Sequence, residues 1–408
     1  MTDTSIKATP LNRYQVLITV IIALLLFTIV VDYMLLSALS AILLPALNLS
    51  TEQFGALASA YAFSAAISSF ISTGFADRFN RKSYLLFFYF GFILGIVCCA
   101  LAPSYWVLLA ARIVTGIFGG IVGSTCFAII ADLFLLNQRG RVMGFVQMSY
   151  AAGQIGGLPL AIYAANTFTW QAPYWIIAFL GLAIGLALVF FMQPLTEHLK
   201  QVQNQMPWQK VLQVIHKKNH WNVFLNNAFL VIGDVLILTF DAAYMANNLK
   251  LSLEKIPLVY VVTGGVTLLF GPIFGRLSDK LGKLKVFTFG TVLSIGAIAM
   301  YSNLQQATFA MIITIHALLF IGINARMVSS TALGMEVPKL KDRGAFMAFD
   351  SSVQQLASAL AAAFAGLVLY TTTDGSLSRY WLLGLIVISF MLATLFFMQR
   401  IQSTIHKA

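Results

Sequence analysis

Charge is what this sequence has least of. Only 10% of its 408 residues are Asp, Glu, Lys or Arg, where a soluble globular chain carries about 25%. With 59% hydrophobic residues and a mean hydropathy of +0.86, it lacks the polar atoms to cover a globule in water. Its principal solvent is therefore lipid. Cysteine is also scarce: Cys98, Cys99 and Cys126 all lie in apolar runs, which excludes a disulfide framework. No G-x-x-x-x-G-K-[ST] phosphate loop occurs, so ATP is not expected to drive the protein directly. There is no nucleophile–base constellation, so we read no enzyme, and nothing calls for a cofactor. His216 and His220 stand four apart, but Lys217 and Lys218 lie between them and no third ligand follows. They read as interfacial solvation, and no metal site is expected.

What is abundant is long apolar sequence. A bilayer core takes roughly 20 apolar residues per helix. Runs of that kind fall near 16–44, 53–75, 84–102, 105–131, 142–165 and 173–193. They resume near 222–246, 257–275, 285–302, 307–333, 345–370 and 379–399. Ser37-Ala38-Leu39-Ser40-Ala41 faintly resembles a signal cleavage site, but the first run is too long and holds Asp32, so it reads as a membrane helix. The expected organisation is a first bundle over 1–193, a polar linker over 194–221 with an interfacial helix around Trp208–Ile215, and a second bundle over 222–408. The fold class is an all-α membrane protein of twelve transmembrane helices.

Cationic residues orient it. With both termini in the cytoplasm, twenty of the twenty-five Lys and Arg fall on cytoplasmic segments, and only Lys250, Lys255 and Arg379 on the other face. Arg112 and Arg326 remain inside the membrane. This bias accounts for the net charge of +11 without nucleic-acid binding. The expected location is a cell (inner) membrane, with the lipid bilayer as the main partner and a monomer as the unit.

The two halves echo each other. Asp77-Arg78-Phe79-Asn80-Arg81-Lys82 after helix 2 is matched by Asp279-Lys280-Leu281-Gly282-Lys283 after helix 8. Asp132, Arg139-Gly140 and Met143 recur as Glu336, Arg343-Gly344 and Met347. Arg112 maps onto His316, and Asp32 onto Asp234. These residues carry a family resemblance. Thr73-Gly74-Phe75-Ala76-Asp77-Arg78-Phe79-Asn80-Arg81-Lys82 resembles the G-x-L-A-D-R-x-G-R-K loop of the major facilitator superfamily, with Thr73 and Asn80 at its two glycine places. Gly275 to Lys283 keeps both glycines. The resemblance implies two six-helix pseudo-repeat bundles that alternate access to a central cavity. It also implies latches at the loops, from Asp77, Arg78, Arg81 and Asp132 in one half and Asp279, Lys280 and Lys283 in the other.

A finer resemblance points to the drug:proton antiporters of that superfamily. Arg112-Ile113-Val114-Thr115-Gly116 is similar to R-x-x-Q-G, with Thr115 in the Gln position. Gly144, Gly153 and Gly157 follow G-x8-G-x3-G, but Leu158-Pro159 replaces an immediate Pro and no terminal Gly-Gly follows. Gly153 and Gly157 equally suit close helix packing.

Ionisable groups at mid-membrane cost about 2.5–3.5 kcal/mol each, so they are retained where they line a cavity or work. They are Asp32 on helix 1, Arg112 on helix 4, Asp234 and Asp241 on helix 7, His316 and Arg326 on helix 10, and Asp350 on helix 11. None lies on helices 3, 6, 9 or 12, which face lipid in the resembling fold. Asp32 is the first candidate for carrying a proton, because desolvation disfavours its charged form. Asp234 is the second, with Asp241 and Asp350 behind it. The competing reading for Asp32 is a static ion pair with an arginine. Arg112, Arg326 and His316 are expected to hold substrate, together with Tyr33, Gln147, Gln154 and Gln354, while Tyr61, Phe63, Tyr150 and Tyr244 are further lining candidates. The expected function is proton-coupled export of a small organic molecule. The alternative is proton-coupled import of an organic anion, which two intramembrane arginines would suit.

Overall fold

Caps and breaks decide where this chain turns. The computed structural model describes residues 10–72, 75–196, 199, 212–339 and 342–407. Asn12 opens α1 (Arg13–Ala38) through a reciprocal cap: Gln15 N donates to Asn12 Oδ1 at 2.7 Å and Asn12 N donates to Gln15 Oε1 at 3.1 Å. After a break at Leu39, α1 continues as a short outer piece, Ser40–Ala46. There follow α2 (Thr51–Ser72), α3 (Arg81–Ala100) and α4 (Tyr105–Leu133). α5 is composite: Leu136–Ala152 and Leu158–Thr167 are joined by a π turn over Gly153–Gly157. α6 is Ala172–Phe191.

The second half repeats the plan. α7 (Lys218–Leu238) breaks at Thr239 and Phe240 and continues as Asp241–Asn247. α8 (Ile256–Leu281), α9 (Lys283–Tyr301), α10 (Phe309–Gly334) and α11 (Arg343–Val368) follow. A two-stranded hairpin, β1 (Tyr370–Thr371) with β2 (Leu377–Ser378), leads into α12 (Tyr380–Lys407).

Eleven of these helices are long and apolar enough to cross a membrane. α5 is the twelfth crossing. Its π turn divides it into pieces of 17 and 10 residues, each too short alone. At ~1.5 Å per residue the composite over 136–167 still exceeds a ~30 Å hydrocarbon core. Twelve crossings bring both chain ends and the central linker to one face, called here the terminal face.

The second copy of the loop motif differs from expectation. α8 runs on to Leu281, so Arg276, Asp279 and Lys280 lie on its last turns, and Gly282 alone makes the reversal at φ 98°. Only glycine takes that angle without strain. In the first copy Ala76–Arg78 forms a 3-10 turn. Asn80, at a glycine place of the motif, instead caps α3 by accepting from Lys82 N at 3.0 Å. Thr73, Gly74, the side chain of Asp77 and residues 197, 198 and 200–211, Trp208 among them, lie outside the described residues. Residues 212–215 are helical, and α7 starts at Lys218 rather than 222.

The halves meet along two seams, α2 with α11 and α5 with α8. Glycines set how close they come. A Cβ on Gly366 would lie 2.5 Å from Thr51 O, and one on Gly264 would lie 2.7 Å from Ile155 Cγ1 in the π turn. On the face opposite the termini the seams are reinforced. Thr51 Oγ1 donates to Leu369 O at 2.6 Å, and Asn166 Nδ2 donates to Leu253 O at 3.1 Å. The outer pieces of α1 and α7 also meet: Ala243 N donates to Ser40 Oγ at 3.0 Å. Phe240 offers no side-chain cap to the outer piece of α7. A serine of the other half therefore satisfies one of its first-turn N–H groups.

These contacts close the opposite face, and a wedge at Gly366 should reopen it. A Thr51→Cys reporter, 4% exposed in the parent, is expected to become reactive to a membrane-impermeant maleimide once Gly366→Val is added. Continued protection would show that this glycine contact does not hold the face shut.

Candidate functional site

Asp32 sits in the outer third of α1, facing α4. Arg112 Nη1 donates to both of its oxygens at 3.0 Å, and the two residues are 0% and 1% exposed. α1 reaches that depth because Val31 packs on α5 where Gly157 has no side chain, a Cβ there falling 2.4 Å from Val31 Cγ2. Close packing at Gly157 is thus what the structure contains. Above the pair, the Arg112 Cζ lies 4.8 Å from the centre of the Tyr61 ring, a cation–π placement. Next in sequence, Tyr33 OH and Ser358 Oγ of α11 are hydrogen-bonded at 2.7 Å. The residue beside the ion pair therefore ties the first half to the second.

In the second half, α7 presents Asn227 and Asp234 seven residues apart on nearly one face, and Asp241 follows after seven more, just beyond the break. Each reaches α10 or α11, forming three rungs. At the first, Asn227 Nδ2 donates to the two oxygens of Asp350 at 3.1 and 2.9 Å, and Ser330 Oγ donates to Asn227 Oδ1 at 3.0 Å. Gln354 Nε2 donates to Asp350 Oδ2 at 2.8 Å. At the second, Arg326 Nη1 stands 3.5 Å from Asp234 Oδ1, a looser pair than Asp32–Arg112. Arg326 is 0% exposed, and its Nη2 is 3.4 Å from Thr394 Oγ1. At the third, His316 Nε2 lies 3.2 Å from both oxygens of Asp241.

The structure thus separates the expected substrate residues into two sets. Arg112, Arg326 and His316 are buried and each faces a carboxylate of its own half, while Arg112 Nε and Arg326 Nε and Nη1 have no hydrogen-bond partner among the described residues. A cation in this interior needs its own counter-charge, and each of the three has one. Tyr33, Gln154 and Gln354 are half-buried, and Gln147 is exposed. Gln154 Oε1 is buried without a hydrogen-bond partner among the described residues, in the π turn that packs on Gly264. Tyr150 is exposed in the middle of α5, yet lies close enough to Tyr33 and Tyr61 to couple to them electrostatically. Tyr33 packs on Tyr61, with ring centroids 5.8 Å apart, and Tyr61 in turn lies against Arg112. His216 and His220 each place Nδ1 on a backbone carbonyl, of Leu212 and Val214.

At the terminal face the latches repeat. Arg81 Nε pairs with Asp132 at 2.9 Å, and Lys283 Nζ contacts Glu336 directly. The equivalent positions pair in the two halves. Arg78, Asp279 and Lys280 are exposed and make no ion pair among the described residues. Sequence reasoning missed Asn227, Ser330, Ser40 and Tyr301. The seven-residue spacing of Asn227 to Asp234 was the available signal. The others are single hydroxyl groups in apolar surroundings.

Breaking the dry pair from one side should cost more than removing it. Asp32→Asn or Arg112→Gln alone leaves a buried charge without a partner, a loss on the order of 3–5 kcal/mol. Asp32→Asn with Arg112→Gln should unfold in detergent at a higher temperature than Arg112→Gln alone. Additive losses in that double-mutant cycle would show that the pair is not coupled.

The sequence profile of the Major Facilitator Superfamily matches residues 21–240 and 223–407. Among similar proteins, the uncharacterized MFS-type transporter YceJ of Bacillus subtilis (strain 168) is 28% identical over 271 residues, covering 66% of this chain and 68% of its own. A bacterial homolog of the human lysosomal transporter Spinster, inward-facing and unoccupied, superposes with a TM-score of 0.72 at 16% identity, over 97% of each chain. A point mutant of the nucleoside transporter NupG superposes with a TM-score of 0.73 at 11% identity, over 94% of this chain and 99% of that one. Two six-helix bundles, paired latches and a profile match along nearly the whole sequence agree: the chain belongs to the Major Facilitator Superfamily and is a multi-pass membrane transporter of that type.

Proposed function

We propose that this transporter exports a small organic molecule in exchange for protons, by alternating access between rigid halves at 1–193 and 222–408 joined by the linker 194–221. One observation carries the reading: a fully buried acid–arginine pair, Asp32–Arg112, lies one residue from a hydrogen bond that joins the halves, Tyr33–Ser358. Protonating Asp32 removes one charge of the pair and frees Arg112. The helix carrying Asp32 is then released next to the seam on which the two halves swing. A proton and a substrate that both act on this seam bias the same equilibrium. Asp234, with its looser partner and a side chain 22% exposed, is the second proton carrier.

The terminal face carries most of the Lys and Arg and is assigned to the cytoplasm of a cell membrane. With the opposite face closed, the conformation seen here is inward-facing. Each half completes its own ion pairs, and a monomer suffices. The membrane potential adds about 2.3 kcal/mol per charge per 100 mV to proton entry. Import of an organic anion is the weaker reading, because both intramembrane guanidinium groups are already neutralised by Asp32 and Asp234. The uncommitted polar candidates, Gln147, Gln154 and Tyr150, are amides and a phenol, which suits an uncharged or weakly polar organic molecule.

A thermal-shift screen on the purified protein supplies the compound to test. In proteoliposomes with an imposed pH gradient, that compound should move opposite to the protons. Movement with the protons would favour the importer. Asp32→Asn should lose gradient-driven transport at least tenfold while Asp32→Glu retains part of it. Full gradient-driven transport by Asp32→Asn would remove Asp32 from the coupling role.

A further inference from the structure

The third rung of α7 contains chemistry that the Asp32 site does not use. Asp241 is the first residue after the break in α7, and it is 3% exposed. Ring-bearing side chains enclose it. His316 of α10 meets it at 3.2 Å, and Tyr301 of α9 donates its OH to Asp241 Oδ1 at 2.6 Å. The Tyr301 and His316 rings meet edge to face with centroids 4.7 Å apart. Tyr244 of the same segment stacks on Tyr380 of α12 at 3.7 Å, and Tyr260 of α8 lies within electrostatic reach of Asp241. Among the described residues His316 is the only ion-pair partner of Asp241.

The hydrogen-bond geometry fixes how many protons the cluster holds. His316 Nδ1 stands 3.0 Å from Ile312 O, a carbonyl that can only accept, so Nδ1 carries a hydrogen. The Nε2 to Asp241 contact then needs one further proton between the two groups, either on Nε2 or on the carboxyl. With it the cluster is neutral overall. Without it, a carboxylate faces the bare lone pair of a neutral imidazole in a dry site, and the contact is repulsive. The closed arrangement is therefore the proton-loaded one. In the first half the matching position is Arg112, which cannot release a proton under these conditions.

We propose that Asp241 and His316, with Tyr301 donating to the carboxyl, form a proton-binding site separate from Asp32 and Asp234, whose occupancy holds the opposite face closed. The lever is short. Asp241 begins the outer piece of α7, and two residues later Ala243 N is held by Ser40 of the first half. Loss of the proton to water separates Asp241 from His316, loosens that outer piece, and weakens the first-turn bond it shares with α1. The site stands on this geometry whether or not Asp32 carries the coupling proton.

Spin labels at Leu101→Cys and Glu254→Cys, on opposite-face loops of the two halves in a cysteine-free background, report the opening by pulsed EPR. Raising the pH from 7 to 9 should lengthen this distance in the parent. Asp241→Asn, which can bond neutral His316 without the shared proton, should stay short at both pH values. His316→Gln should give the same distance at both pH values. In parallel, 15N-histidine NMR on a chain with only five histidines identifies the His316 signal by its loss in His316→Gln. Its Nε2 resonance should titrate over the same pH range as the opening, and the titration should move in Asp241→Asn. A distance that responds to pH alike in the parent and both variants, or an Nε2 resonance that does not titrate with the opening, would overturn the proposal. In Asp32→Asn, whichever face it favours, the His316 Nε2 resonance should still titrate and still move when Asp241→Asn is added, which separates this site from the coupling role assigned to Asp32.

Discussion

Two opposite charges buried against each other constrain this molecule more than any other feature. Asp32 and Arg112 are essentially unexposed, so neither tolerates loss of the other. Holding them together requires α1 to approach α4 and α5 closely, and the small residues of α5 supply the room. The Tyr61 ring over Arg112 belongs to α2, the helix that forms one seam with α11. Tyr33, beside the acid, reaches from α1 to Ser358 of that same α11. A change in the charge of the pair therefore has a short mechanical path to the interface between the halves.

The duplicated architecture is symmetric in its helices and asymmetric in its chemistry. Both first helices of the halves break near their outer ends, and the two outer pieces meet through Ser40 and Ala243. The latches also match, Arg81 with Asp132 and Lys283 with Glu336. Inside, the first half has the one pair of Asp32 with Arg112, while α7 offers three rungs of different character. One is an acid held by neutral amides, one is a loose arginine pair, and one is an acid–histidine pair. The first half thus concentrates its buried charge in one tight pair, while the second distributes its acids over three kinds of partner.

The sequence announced the helices far better than their partners. Long apolar runs located all twelve crossings, because lipid demands them. The ends were misjudged where polar residues continue a helix, as at Arg276, Asp279 and Lys280 of α8, whose turn is made by Gly282 alone. The break in α5 was invisible, since a π turn has no residue type of its own and glycines there read equally as packing. Repeat offsets placed His316 opposite Arg112 and Asp234 opposite Asp32, yet His316 pairs with Asp241. The helix 7 and helix 10 offsets differ by two residues, and at ~1.5 Å and about 100° per residue that redirects a side chain. Arg112 and Arg326 drew attention as charges in lipid, but their pairing with Asp32 and Asp234 depends on packing that no single helix encodes.

The central claim is that the proton on Asp32 decides which face is open, and the most direct test needs no substrate. Spin labels at Leu135→Cys and Lys339→Cys report the distance between the two halves at the terminal face by pulsed EPR. The ionised pair belongs to the conformation described here, so lowering the pH from 7 to 5 should shorten that distance in the parent, and in Asp32→Asn the distance should be the same at both pH values. A parent distance that ignores acidification, or an Asp32→Asn variant that responds to it as the parent does, would contradict the account.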